Sequence, residues 1–219
     1  MYFNRISLAE SAESSPDFWQ IFGDPYRLHQ SIWELFSDHA DRRRDFLYRV
    51  HQDGKRPLIY AISAREPNRD AQIWQIDTKP YKPKISPEMR FAFLLRANAI
   101  RTRNGKRHDV VMEAKYRLSQ NGQARHDWPA QAELAQQQGE KWLLARCEGY
   151  GFRLNSVRVD GHQQYRFFKK QGGTPVRFST LDFTGLLTVT DSERFLETLY
   201  RGIGAAKGFG CGMLMVRSV

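Results

Sequence analysis

Prolines at 80, 83 and 87 interrupt a chain whose two sides repeat one order of elements, and this repeat constrains the fold more than any other feature. Before the prolines, residues 2–8 form a strand pattern, with Tyr2, Ile6 and Leu8 on even positions. A polar, serine-rich stretch follows. Asp24-Pro25 then opens a helix: the carboxylate accepts from free backbone N–H groups, and proline is tolerated at the first helical position. Tyr26, Leu28, Ile32, Leu35 and Phe36 continue at helical spacing. Strand runs at 45–50 and 57–63 flank the turn signal Gln52-Asp53-Gly54-Lys55, and 72–78 supplies a fourth strand. Only residues 65–71 are available for a helix between the third and fourth strands.

After the prolines the order restarts. Residues 90–97 read as a strand, a charged segment follows, and 129–148 read as a helix rich in Ala, Gln, Glu and Leu. Residues 152–159 and 164–169 are expected to pair across the Asp160-Gly161 turn dipeptide. A long strand at 177–190, a short helix at 191–200 and a strand at 211–216 complete the half. Each half therefore approximates βαββαβ. The expected fold is α+β, two tandem ferredoxin-like (RRM-like) domains, at 1–86 and 87–219.

The formal charge is +10, from 34 Lys+Arg against 24 Asp+Glu. A surplus of this size suits a polyanion, either nucleic acid or an anionic membrane surface, although a basic protein can have neither partner. The surplus is local. Residues 90–125 hold nine Lys/Arg against two acids, and 158–177 hold five against one, so the two windows carry +7 and +4 and the remainder is nearly neutral. Arg101, Arg103, Lys106, Arg107 and His108 surround the turn signal Asn104-Gly105. Arg166, Lys169 and Lys170 alternate with Tyr165, Phe167 and Phe168, most of those aromatics being expected in the core. Localised charge is what a phosphate-tracking surface requires, whereas a single charge run is usually only a solvated face.

No stretch approaches the roughly 20 apolar residues that cross a bilayer, and the first fifteen residues turn polar too soon for a secretory signal. Cys147 and Cys211 lie far apart without ligand spacing, so reduced thiols and a cytoplasmic location are expected. The six histidines show no His-x-x-x-His pairing, and there is no dense acidic cluster for a two-metal nuclease; no metal and no cofactor are expected. Residues 202–212 carry glycine at 202, 204, 208, 210 and 212. A Walker loop fails because Lys207 precedes Gly208 rather than Ser or Thr, and the dinucleotide fingerprint fails because Lys207 stands where a glycine belongs. What remains is a backbone that can approach a phosphate at Gly208 and Gly210 with Lys207 as a point charge, or a plain connection. Tyr26 and His29 lie three apart and share a helical face. A histidine titrates near ~6.5, suiting it to move protons at neutrality, but such a pair is more often ordinary surface and packing.

Five segments together resemble the CasE endoribonucleases of type I-E CRISPR systems. These are Tyr-Arg-Leu-His-Gln-Ser-Ile-Trp-Glu-Leu-Phe at 26–36, Arg-Asp-Phe-Leu-Tyr-Arg-Val at 44–50, and Leu-Arg-Ala-Asn-Ala-Ile-Arg at 95–101, where Ala99 replaces the usual proline. Phe-Thr-Gly-Leu-Leu-Thr-Val-Thr-Asp at 183–191 and the glycine-rich 202–214 complete the set. The resemblance implies RNA bound across two ferredoxin-like domains and cleavage at the base of a CRISPR repeat hairpin. It also implies retention of the product hairpin and assembly with the other subunits of the type I-E surveillance complex. The family's catalytic histidine falls on His29 and its companion tyrosine on Tyr26. Arg96, Arg101, Arg103, Lys106, Arg107, Arg166, Lys169, Lys170 and Lys207 would hold RNA.

The implied chemistry needs no metal, because the RNA supplies its own 2′-OH as nucleophile. His29 would act as base or acid, Tyr26 would orient the site or share the proton transfer, and an unassigned Lys or Arg would steady the phosphorane. The alternatives are a non-catalytic RNA-binding subunit of the same fold and, more remotely, a DNA-binding module.

Overall fold

The computed structural model describes residues 1–12, 16–39, 43–53, 56–68, 73–169 and 172–219. The chain divides into two compact units. One comprises Met1–Pro83 with Arg166–Val176 and Lys207–Gly210, and the other comprises Lys84–Tyr165, Arg177–Ala206 and Cys211–Val219. The first unit thus gathers two short segments from beyond the proline-rich linker.

The first unit contains β1 (Tyr2–Leu8), α1 (Pro16–Gly23), α2 (Pro25–Phe36), β2 (Phe46–Asp53), β3 (Arg56–Ser63) and β4 (Trp74–Pro80). Its sheet runs β2-β3-β1-β4, and all three pairings are antiparallel. This is the ferredoxin-like strand order. Helix α2 forms where expected: Asp24 caps it by accepting from the backbone N–H of Tyr26 (2.7 Å) and Arg27 (3.4 Å). Leu28, Ser31, Ile32, Leu35 and Phe36 form its buried stripe, at spacings of three and four. Burying each large aliphatic or aromatic side chain contributes about 1.5–3 kcal/mol. The buried Ser31 is satisfied by the Trp74 indole N–H, which donates to its Oγ at 2.9 Å. Helix α1 forms just after the polar, serine-rich stretch, with Pro16 at its first position. The helix expected at 65–71 lies partly outside the described residues, and 65–68 are not helical.

In the second unit, β5 (Arg90–Ala97) is followed by β6 (Ile100–Arg103), β7 (Lys106–Asp109), α3 (Val110–Gln120) and α4 (Gln131–Leu144). Then come β8 (Phe152–Phe167), β9 (Val176–Val189), α5 (Ser192–Arg201) and β10 (Leu214–Ser218). The main sheet runs β10-β5-β9-β8, the same order with β6 and β7 standing apart as a two-stranded ribbon. Asn104 and Gly105, with φ of 50° and 72°, close that ribbon as a hairpin. The charged segment after β5 is therefore a ribbon plus a helix. The hairpin expected across Asp160-Gly161 is a correction: β8 runs through both residues, and its partner is β9. Gly161 takes φ of 66° within the strand, a conformation that a bulge uses as readily as a turn. Among the described residues no helix is long and apolar enough to cross a membrane. Cys147 and Cys211 are both buried and unbonded to each other.

Candidate active site

Helix α2 sets Tyr26 and His29 on one face at the edge of its buried stripe. Their ring centroids are 6.4 Å apart. His29 is half-buried, enclosed by Trp33 one turn on (6.2 Å) and by Phe209 (5.3 Å). Phe167 stacks against Tyr26 at 6.3 Å and meets Phe209 edge-on at 5.1 Å. Of the three aromatics of this run, most of them expected in the core, only Phe167 is buried; Tyr165 is half-buried, and Phe168 is 48% exposed with the Arg166 guanidinium 5.8 Å from its ring.

The aromatic collar desolvates the imidazole, and this burial is the main force lowering the His29 pKa. The nearby Gly208 backbone opposes it, while the positive charges of Arg44 and Lys169 reinforce it. Gly208 stays short of normal hydrogen-bond geometry, since His29 Nδ1 is shut off from solvent with no hydrogen-bond partner among the described residues. Nε2 is then the nitrogen that a ligand can reach. At neutral pH the ring is uncharged and able to accept a proton.

The glycine-rich loop is held beside this histidine by Tyr48, almost wholly buried on β2, whose hydroxyl donates to the Gly208 carbonyl at 2.9 Å. Glycine is required along this loop because Gly202, Gly204, Gly210 and Gly212 have φ between 72° and 89°. Gly208 is different: its φ is ordinary, and its importance is space. A methyl group there would stand 3.4 Å from His29 Cε1 and 3.5 Å from Arg44 Nη1.

The first unit therefore brings together Tyr26, His29, Arg166, Lys169, Lys207, Gly208 and Gly210. Lys170 lies outside the described residues. Arg96, Arg101, Arg103, Lys106 and Arg107 belong to the second unit, and of these Arg103, Lys106 and Arg107 stand exposed on the β6–β7 ribbon. Arg96 is committed elsewhere. Its Nε and Nη2 donate to Asp182 at 3.0 and 2.8 Å, joining β5 to β9. Burial would lower its pKa, but the hydrogen bond and charge of Asp182 prevail and raise it. Among the described residues no group of three His, Cys, Asp or Glu side chains could hold a metal ion.

Sequence reasoning missed Arg44 and Tyr48 as site components, treating 44–50 only as strand. The available signal was Arg42-Arg43-Arg44 directly before an apolar strand. It also missed a second buried histidine: His162 Nε2 lies 2.9 Å from Asp109 Oδ2, and its Nδ1 faces Gln131 Nε2 at 3.4 Å.

Comparison with known proteins fits this architecture. The chain belongs to the CRISPR-associated protein family, matching the family described as "CRISPR associated protein" over residues 1–218. It is 28% identical over 216 residues to the CRISPR system Cascade subunit CasE of Escherichia coli, covering 98% of each chain. It is 27% identical to the CRISPR-associated endoribonuclease Cse3 of Thermus thermophilus, over 88% of this chain and 90% of that one. The structure of Thermus thermophilus Cse3 bound to an RNA representing a pre-cleavage complex superposes with a TM-score of 0.72 at 24% identity, over 99% of this chain and 98% of that one. That likeness supports the duplicated ferredoxin-like fold.

Proposed function

We propose that this chain is a metal-independent endoribonuclease that cuts CRISPR repeat RNA at the base of its stem–loop. It then keeps the product hairpin as a subunit of the type I-E surveillance complex in the cytoplasm. The observation carrying the reading is His29: a half-buried imidazole, held neutral by burial and two cations, beside a glycine-rich loop whose Gly208 lies against the ring and Arg44. The names of the relatives, an endoribonuclease and a Cascade subunit, support the same reaction and assembly.

In the proposed reaction the 2′-oxygen bonds to phosphorus as the bond from phosphorus to the 5′-oxygen breaks, leaving a 2′,3′-cyclic phosphate and a 5′-OH. Neutral His29 accepts the 2′-OH proton at Nε2, and Tyr26 orients the ribose or shares the proton transfer to the leaving oxygen. Placed proton transfer contributes ~10²–10⁴-fold, and alignment with charge stabilisation supplies the remainder. The β6–β7 ribbon and the segment from Arg166 to Lys170 hold the RNA through phosphates, so affinity falls steeply with salt. The N-terminal domain carries the catalytic helix, and the C-terminal domain contributes the basic ribbon.

The test is incubation with a repeat hairpin in EDTA, followed by analysis of the product ends. Undiminished cleavage with cyclic phosphate and 5′-OH ends is expected. A hairpin bound tightly but left intact would favour the non-catalytic RNA-binding subunit.

A further inference from the structure

We infer that Arg44 is a catalytic residue: its guanidinium contacts a non-bridging oxygen of the scissile phosphate and stabilises the charge that builds there in the transition state. The assignment rests on the endoribonuclease reading above and supplies the cation that the sequence leaves unnamed.

Three observations converge on it. First, Arg44 is half-buried, yet among the described residues no carboxylate pairs with it. The adjacent Asp45 is engaged instead by Arg65, whose Nη2 donates to it at 3.1 Å. Burial lowers the Arg44 pKa, and among the described residues the Tyr48 phenol opposes it. A desolvated guanidinium without a counter-ion is costly to maintain unless an anion arrives to meet it. Second, it faces the imidazole. A single point, the place of a methyl on Gly208, lies 3.5 Å from Arg44 Nη1 and 3.4 and 3.6 Å from His29 Cε1 and Nδ1. Both groups flank the same glycine, so Arg44 Nη1 and the imidazole lie within about 7 Å of each other (3.5 plus 3.4 Å), a span that one phosphate can bridge. Third, the alternative cation is less suited. Lys169 also bears on His29 but is exposed, where water and salt weaken its field. A partly buried planar fork gives both a stronger field and two directed donors.

The assignment predicts a split between rate and affinity. With saturating protein and a repeat hairpin, R44A should cleave about 10²–10³-fold more slowly, whereas its affinity for the uncleavable 2′-deoxy hairpin should fall less than about tenfold. R44K, which keeps the charge and loses the fork, should fall between. Removing the Arg44 charge should also move the acid limb of the pH–rate profile upward, because that charge holds the His29 pKa down. G208A is an independent probe: its backbone conformation is ordinary and its methyl meets no atom closer than 3.4 Å, so it should fold, melt like the parent and cleave at least tenfold more slowly. An R44A protein that cleaves at the parental saturating rate overturns the assignment while leaving the function standing. So does an equal loss of rate and affinity with an unmoved pH limb. A parent that cuts no hairpin at all overturns the endoribonuclease reading and this assignment with it.

Discussion

Two histidines, one half-buried and one with its side chain almost wholly buried, sit in opposite kinds of surroundings. His162, with its side chain 3% exposed, lies against Asp109 at 2.9 Å and Gln131 at 3.4 Å, so both ring nitrogens are engaged. Asp109 is equally occupied. It accepts from Ser179 Oγ, and its other oxygen caps α3 by accepting from Val111 and Met112 N–H at 2.7 and 2.8 Å. This network ties the end of the basic ribbon to β8 and β9 and has nothing left to offer a ligand. His29 has a buried Nδ1 with no hydrogen-bond partner among the described residues, the positive charges of Arg44 and Lys169 acting on it, and Gly208 against its ring. Buried polar groups are normally satisfied, and the exceptions concentrate where function holds the cost. Arg96 and Arg44 repeat the contrast: one is locked bidentate onto Asp182, and the other has no such counter-ion among the described residues.

The sharpest way to break this contrast is to remove each imidazole in turn. His29→Ala should lose about 10²–10⁴-fold in single-turnover cleavage while binding the hairpin nearly as well as the parent. His162→Ala should leave the saturating cleavage rate within a few-fold of the parent but cost about 1–3 kcal/mol of stability, because it strips a partner from a largely buried carboxylate. Thermal unfolding of both variants separates the two roles. If His162→Ala abolishes cleavage without destabilising the fold, the division drawn here is wrong.

The two sites should also respond differently along the pH axis. Hydrogen bonds from His162, Ser179 and Met112 overcome burial and hold Asp109 below its usual carboxylate pKa. The stability it contributes is therefore complete above the unfolded value of ~3.9 and lost as pH falls through the lower folded value. His29 is depressed from ~6.5, so the unfolded chain binds its proton first, and stability declines as pH drops below that value toward the folded one. Melting temperature against pH should show the upper step vanish in His29→Ala and the lower step vanish in Asp109→Asn.

Smaller effects should separate the arginines. Arg96→Ala should cost about 1–3 kcal/mol in stability, with less change in RNA affinity than its place in a basic window suggests. Arg103 is 65% exposed, and its nearest carboxylate is 3.9 Å away on Glu113. Arg103→Ala should leave stability within about 0.5 kcal/mol and lower the slope of log affinity against log salt by roughly 0.7–0.9. Equal salt slopes for the two variants would erase the distinction.

Most of the frame was legible because it is written in local patterns. The period-two runs of β1 and β5 and the cap at Asp24 read directly, and the repeated order of elements pointed to both sheets. What escaped was non-local or ambiguous. The β6 and β7 strands are almost wholly polar and carry no apolar alternation, so only their Asn-Gly turn was visible. Asp160-Gly161 read as a turn, and the pairing of β8 with β9 overrode that local signal. At the site, Tyr26 and His29 were found by spacing and resemblance. Arg44, Tyr48 and Gly208 become neighbours only through contacts spanning as many as 160 residues, which no window of sequence reports.

The most direct test of the central claim, that the RNA attacks itself beside His29, is a single 2′-deoxy replacement at the scissile nucleotide, assayed in EDTA with the parent protein. The account predicts that the all-ribose hairpin is cut and that the deoxy hairpin is bound comparably but stays intact. Cleavage of the deoxy hairpin, or cleavage of the ribose hairpin that EDTA abolishes, would contradict it.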